Sequence, residues 1–161
     1  MIGLHLLRHA HAGDPAHWQG DDDQRPLSDR GVRQCERLGR VLAGLDEAPD
    51  LFVTSPRLRA LQTAEIVAGR LDLPVTVDRR LAEPLDLHVI SALLASTGAR
   101  RPCLVGHDPD FSELLAALIG VGSITMRKGA IARVDVDGPR LVPGAGTLRY
   151  LLPPELVPND R

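Results

Sequence analysis

A chain of 161 residues, 43% apolar and 25% charged, has the size and balance of one globular domain with its own core. Its formal charge of −2 and its few aromatics (one Trp, one Tyr, two Phe) exclude a general nucleic-acid binder or a base-stacking platform. No apolar run reaches membrane-spanning length, no leader pattern opens the chain, and Cys35 and Cys103 have no metal or redox spacing, so a cytoplasmic protein with buried, reduced thiols is expected.

Ile2 to Leu7 is short and apolar, as a buried strand requires. His5 interrupts it and is expected to face one side of a sheet with a hydrogen-bond partner. A polar loop follows from Gly13 to Pro26, and its acidic run Asp21–Asp23 reads as the solvated part of a mobile segment. Ser28 is a good helix N-cap. Val32, Cys35, Leu38, Val41 and Leu42 then recur at helical spacing up to Gly44. Asp50 to Thr54 is a second strand, and Ser55-Pro56 opens a second helix carrying Leu58, Leu61, Ile66 and Val67.

Pro74 to Val77 reads as a third strand and Leu85 to Leu94 as a helix. Pro102 to Gly106 is a fourth strand, and Asp108-Pro109 caps a helix running to about Ile119. Ala130 to Val136 and Thr147 to Leu152 alternate like strands around a Gly/Pro-rich turn. The expected organisation is a single domain over 1–152 and a loose tail over 153–161. Alternating strands and helices imply an α/β three-layer sandwich, with a mostly parallel central sheet and helices on both faces.

In such folds ligands sit beyond the carboxyl ends of the strands. Three polar clusters fall there: Arg8-His9, Ser55 to Arg59, and Gly106-His107. A neutral imidazole can attack phosphorus and carry a phosphoryl group, and a guanidinium can hold phosphate oxygens in a planar fork. Taken singly, each Arg or His has an ordinary surface or structural reading. Their joint placement at converging strand ends is what points to phosphoryl transfer, which depends on positioning and charge neutralisation.

The motifs LLRHAHA (6–12), SPRLRALQTA (55–64) and VGHDP (105–109) resemble, in order, the signatures of the histidine phosphatase, or phosphoglycerate mutase-like, superfamily. RPLSDRG (25–31) is similar to the SixA type of small phosphohistidine phosphatases. The resemblance spans nearly the whole chain. It implies that His9 attacks phosphorus, that Arg8 and Arg59 bind phosphate oxygens, and that His107 stabilises the transferring group. No cofactor and no metal are expected, because the cationic groups already neutralise the phosphate and no dispersed carboxylate set suggests a magnesium cage. Arg59 rather than Arg57 matches the motif, because it precedes Ala60 and Gln62-Thr63; Arg57 reads as an entrance residue or a solvated helix residue.

Two features depart from the pattern. Ala10 stands at a frequent glycine position, and the general acid has no clear counterpart. Glu83 occupies the region where larger relatives carry an acid, or else pairs with Arg79 or Arg80. His11 either approaches the pocket or continues an exposed loop, and His17 and His88 have no motif support. The short chain leaves little material for a lid, which favours a phosphohistidine-bearing protein as substrate. A phosphatase for small metabolite esters and a noncatalytic phosphate-binding protein remain the alternatives. A metal site drawn from His5, His9, His11 or His107 is disfavoured by the adjacent arginines.

Overall fold

The computed structural model describes residues 1–159. Six strands form one sheet: β1 (Ile2–Arg8), β2 (Leu51–Thr54), β3 (Val75–Val77), β4 (Pro102–Gly106), β5 (Ile131–Val136) and β6 (Thr147–Leu152). Their order is β3-β2-β4-β1-β5-β6. The first four are mutually parallel, whereas β5 runs antiparallel to β1 and β6 antiparallel to β5. The sheet is therefore mixed: β1 to β4 are parallel, β5 is reversed after the helix that follows β4, and the late Gly/Pro-rich turn reverses β6 again.

Four helices cover it: α1 (Asp29–Ala43), α2 (Leu58–Gly69), α3 (Leu87–Thr97) and α4 (Asp110–Ile119). The two-residue period of the strands divides the core into two layers. Leu4 and Leu6 of β1, Val53 of β2 and Leu104 of β4 pack with α3 and α4 around Phe111. Leu7, Phe52, Cys103 and Val105 on the opposite face pack with α1 and α2. Both phenylalanines are fully buried, one per layer, in cores otherwise built from aliphatic side chains. Both cysteines are free and buried, and burial pushes the Cys35 thiol up to about 12, so neither is a reactive thiolate.

Several boundaries move for physical reasons. The second helix begins at Leu58, with Arg57 at the N-cap, because the Ser55 hydroxyl is engaged by His107 and by the Arg57 N–H rather than by a helix turn. The third helix starts one residue after Asp86, whose carboxylate accepts from Val89 N–H. Pro109 is the N-cap of α4, while the Asp108 carboxylate takes the Ser112 N–H (2.9 Å) and hydroxyl (2.6 Å).

His5 is fully buried, but neither ring nitrogen has a partner at hydrogen-bond geometry; burial holds it neutral, down to about 4. The expected loose tail is packed as far as Val157, which is buried in the α1/α2 layer after a single turn at Pro154–Leu156. The last two positions of that tail, 160–161, lie outside the described residues.

Candidate active site

The three middle parallel strands, β2, β4 and β1, end side by side, and each delivers one residue to the same rim. The backbone ladder continues one step past them: His9 N–H donates to Gly106 O (3.0 Å), and Ser55 N–H to Val105 O (3.0 Å). His9, Ser55 and His107 therefore start from backbone that the sheet itself fixes. The two imidazoles face each other with ring centroids 5.3 Å apart.

His9 is 5% exposed. Its Nδ1 lies 2.8 Å from the carbonyl oxygen of Ala10. A carbonyl only accepts, so Nδ1 carries the proton and Nε2 keeps a free lone pair. Burial, reinforced by the charges of Arg59 and Arg8, lowers His9 to about 3. The ring is neutral at ordinary pH, as a nucleophile must be. Ala10 is itself buried against α2, its N–H donating to Thr63 Oγ1 (3.1 Å) while that hydroxyl donates to Arg59 O (2.7 Å). The methyl at the expected glycine position thus fills core, and Thr63 of the QTA triplet ties the His9 loop to α2.

RPLSDRG anchors the same loop from the other side. Ser28 Oγ donates to His11 O (3.1 Å) and accepts from Gly31 N–H (3.1 Å), and Leu27 N–H donates to Gln62 Oε1 (2.8 Å). A side chain at Gly31 would place its Cβ against the His11 carbonyl, so the close approach of α1 requires glycine there. His11 does not continue an exposed loop: its Nδ1 sits 2.6 Å from Ser28 Oγ.

His107 is 8% exposed, its Nε2 2.8 Å from Ser55 Oγ. Burial first, then the neighbouring His9, Arg57, Arg59 and Arg8, lowers it to about 3. Arg8 reaches Met126 O (2.9 Å) and Asp108 Oδ2 (3.5 Å). Arg59, 5% exposed, donates through Nη1 to Asp22 O (2.8 Å) and meets the Asp22 carboxylate through Nη2 (3.2 Å). Arg8 Nε, Arg59 Nε and His107 Nδ1 are buried without a hydrogen-bond partner among the described residues. Donors of this kind are the groups that an oxyanion beside His9 would satisfy.

The acidic run has a different role from the one expected. Asp22 accepts from Arg25 Nε (2.9 Å) as well as from Arg59, and the Arg25 bond holds its carboxyl below the usual range. Asp23 lies 3.2 Å from Arg57 Nε. The loop is thus drawn onto the arginines rather than released to solvent. Arg57 is no solvated helix residue either: it caps α2, donates to Ala82 O (3.1 Å), and its charge reaches His107.

Glu83 is exposed, and its side chain has no partner among the described residues; Arg80 pairs with Asp78 (2.7 Å) instead. His17 and His88 stay at the surface. Among the described residues, no three His, Cys, Asp or Glu side chains come together as a metal site. The motifs gave no role of their own in the site to Ser55, Asp22 or Lys128. The last has one sequence signal, being the sole lysine beside eighteen arginines.

Residues 4–85 match the family model of the histidine phosphatase superfamily, branch 1. The chain belongs to that family. It is a histidine-nucleophile phosphatase, a hydrolase. It is 29% identical over 155 residues to phosphohistidine phosphatase SixA of Escherichia coli (strain K12), covering 92% of each chain. A solved structure of the protein histidine phosphatase SixA complexed with tungstate superposes with a TM-score of 0.80 at 28% identity, over 95% of this chain and 97% of the other. A shorter match, 30% identical over 87 residues, is to the transcription factor tau 55 kDa subunit of Saccharomyces cerevisiae; it takes in 50% of this chain and 20% of that protein. Mycobacterial glucosyl-3-phosphoglycerate phosphatase shares the fold, with a TM-score of 0.69 at 19% identity over 92% of this chain and 97% of that one.

Proposed function

We propose that this histidine phosphatase removes phosphoryl groups from histidine side chains of a partner protein, through a covalent phosphohistidine on His9. The observation that carries the reading is the tautomer of His9. With Nδ1 committed to Ala10 O, the bare Nε2 lies in a buried setting with Arg8, Arg59 and His107 around it. Nε2 attacks phosphorus while the bond to the substrate's ring nitrogen breaks. The substrate imidazole leaves neutral when its other nitrogen holds a proton, so this leaving group demands less of a protein acid than an alkoxide does. Water then attacks phosphorus, the P–N bond electrons return to Nε2, and inorganic phosphate is released. Arg8 and Arg59 neutralise the charge on the equatorial oxygens, and the neutral His107 ring contributes a hydrogen bond.

The choice of a protein substrate is supported by the likeness to SixA over almost the full length and by the short connection between β2 and β4. Between β2 and β4 there is only α2, the short β3, one 3-10 turn and α3, with no inserted segment to close over a small molecule. Glu83 stands one residue beyond the carbonyl that holds Arg57 and carries no step in this mechanism. The test is a hydrolysis comparison at matched enzyme concentration, with spontaneous phosphohistidine decay subtracted. Phosphohistidine proteins should give the higher kcat/KM. A larger kcat/KM for a sugar phosphate overturns the substrate class while leaving His9 in place, and phosphate binding without turnover on either class overturns the enzymatic reading.

A further inference from the structure

Around His9 the arginines are all held by the protein. Arg8 is tied to Met126 O and Asp108, Arg25 to Ala12 O and Asp22, Arg57 to Ala82 O and Asp23, and Arg59 to Asp22. One further cation belongs to the same cluster. Lys128 lies in the turn before β5, and that turn closes directly on the nucleophile's backbone. Gly129 N–H is shared between Arg8 O (3.1 Å) and His9 O (2.9 Å), and Arg8 N–H donates to Ala130 O (3.1 Å). Gly129 makes this possible with φ +82°, a conformation side chains rarely adopt. Lys128 is therefore anchored beside His9 through its own neighbour.

Its side chain is half-buried, and among the described residues it has neither a hydrogen-bond nor an ion-pair partner. Burial and the charges of Arg8, Arg25 and Arg59 lower its pKa, with Asp14 opposing, while Lys128 in turn lowers His9 and His11. A cation set among cations, with no anion of its own, is an arrangement that costs stability unless an anion arrives. An ammonium on a flexible stem can also follow a moving oxyanion, where a planar guanidinium already bonded to the protein stays in place.

We propose that Lys128 is a further substrate-binding residue, whose ammonium meets the phosphoryl oxygens at the mouth of the His9 pocket. The inference rests on the assignment of His9, Arg8, Arg59 and His107 as the phosphoryl site. It makes Lys128 a determinant of anion affinity, distinct from the fixed arginines that shape the pocket.

The uniqueness of the residue gives a clean probe. Reductive methylation with 13C-formaldehyde labels one lysine and the terminal amine, and the Lys128 signal should shift on titration with tungstate. Lys128→Met should weaken tungstate inhibition and raise KM five- to twentyfold, with a smaller change in kcat, and Lys128→Arg should recover part of the loss. The Met variant should also have an unchanged or higher Tm without ligand and a smaller Tm gain with tungstate. A merely structural lysine would give a lower ligand-free Tm and an unaltered inhibition constant, and that result overturns the proposal. Tungstate that binds and perturbs His9 without moving the Lys128 signal overturns it as well, leaving the site intact. Tungstate that fails to perturb His9 at all overturns the site assignment itself.

Discussion

The two walls of the active site are built by different physics. On one side, His9 and His107 project from the ends of β1 and β4, where the sheet ladder sets their backbones and Ala10 O and Ser55 Oγ set their rings. On the other, Arg59 and Arg57 extend from the start of α2 and are held by the carboxylates and carbonyl of a surface loop. The histidine wall is dry and neutral, and the arginine wall is charged and leans on side chains half-open to water. Disturbing the first should abolish chemistry, whereas disturbing the second should grade it.

The arginines themselves offer the largest contrast within the second wall. Arg59→Ala removes a charged donor aimed at the transferring group, and loss of one such donor lowers kcat by about 10²–10³-fold. Both kcat and kcat/KM should fall, as for an interaction made in the transition state. If only KM rises, Arg59 binds the ground state and nothing more.

Asp22→Ala should do less. It removes the carboxylate contact to Arg59 and leaves the alanine's backbone carbonyl to accept from Nη1, so a loss of up to about fivefold in kcat/KM is expected, since ion pairs with an exposed partner contribute about 1 kcal/mol or less. Screening should close the gap: at about 1 M salt the Debye length is near 3 Å, and wild type and variant should converge. A ratio that stays constant with salt would show that Asp22 acts through loop shape instead of charge.

The first wall, together with the buried His5 of β1, also makes stability depend on pH. An unfolded histidine takes its proton near 6.5, but His9 and His107 resist until about 3 and His5 until about 4. Between those values the unfolded chain binds more protons. Stability is therefore fully present above 6.5 and declines as pH falls toward 3, by up to about 1.4 kcal/mol per pH unit for each histidine. Denaturant titrations at pH 7.5, 6 and 5 should show a falling midpoint. A flat profile across that range would mean that these rings take up protons as readily in the fold as in the unfolded chain.

The same division decides what could be read from sequence. His9, Arg8 and His107 follow short apolar strands, and their motifs mark where those strands stop. Ser28 announces α1, and its hydroxyl caps that helix by accepting from Gly31 N–H. Asp22 and Asp23 gave no such signal. Three contiguous acids have neither the period of a strand nor that of a helix, and besides the nearby Arg25 their partners Arg59 and Arg57 lie some 35 residues away in sequence, at the start of α2. Ser55-Pro56 has the composition of a helix start, yet its hydroxyl serves His107, a contact that only tertiary structure creates. Val157 likewise sits among polar and proline residues, and its burial follows from the face β6 presents.

The central claim is that His9 carries the phosphoryl group through Nε2. Rapid quenching into base during turnover, followed by peptide mass spectrometry and 31P NMR, tests it directly, because a phosphoramidate survives alkali and is lost in acid. The account predicts a single base-stable, acid-labile phosphoryl group on His9 Nε2, formed in a burst and absent from His9→Ala, which should remain folded and retain almost no turnover. Phosphate trapped on another residue, or wild-type-like turnover by His9→Ala, would contradict it.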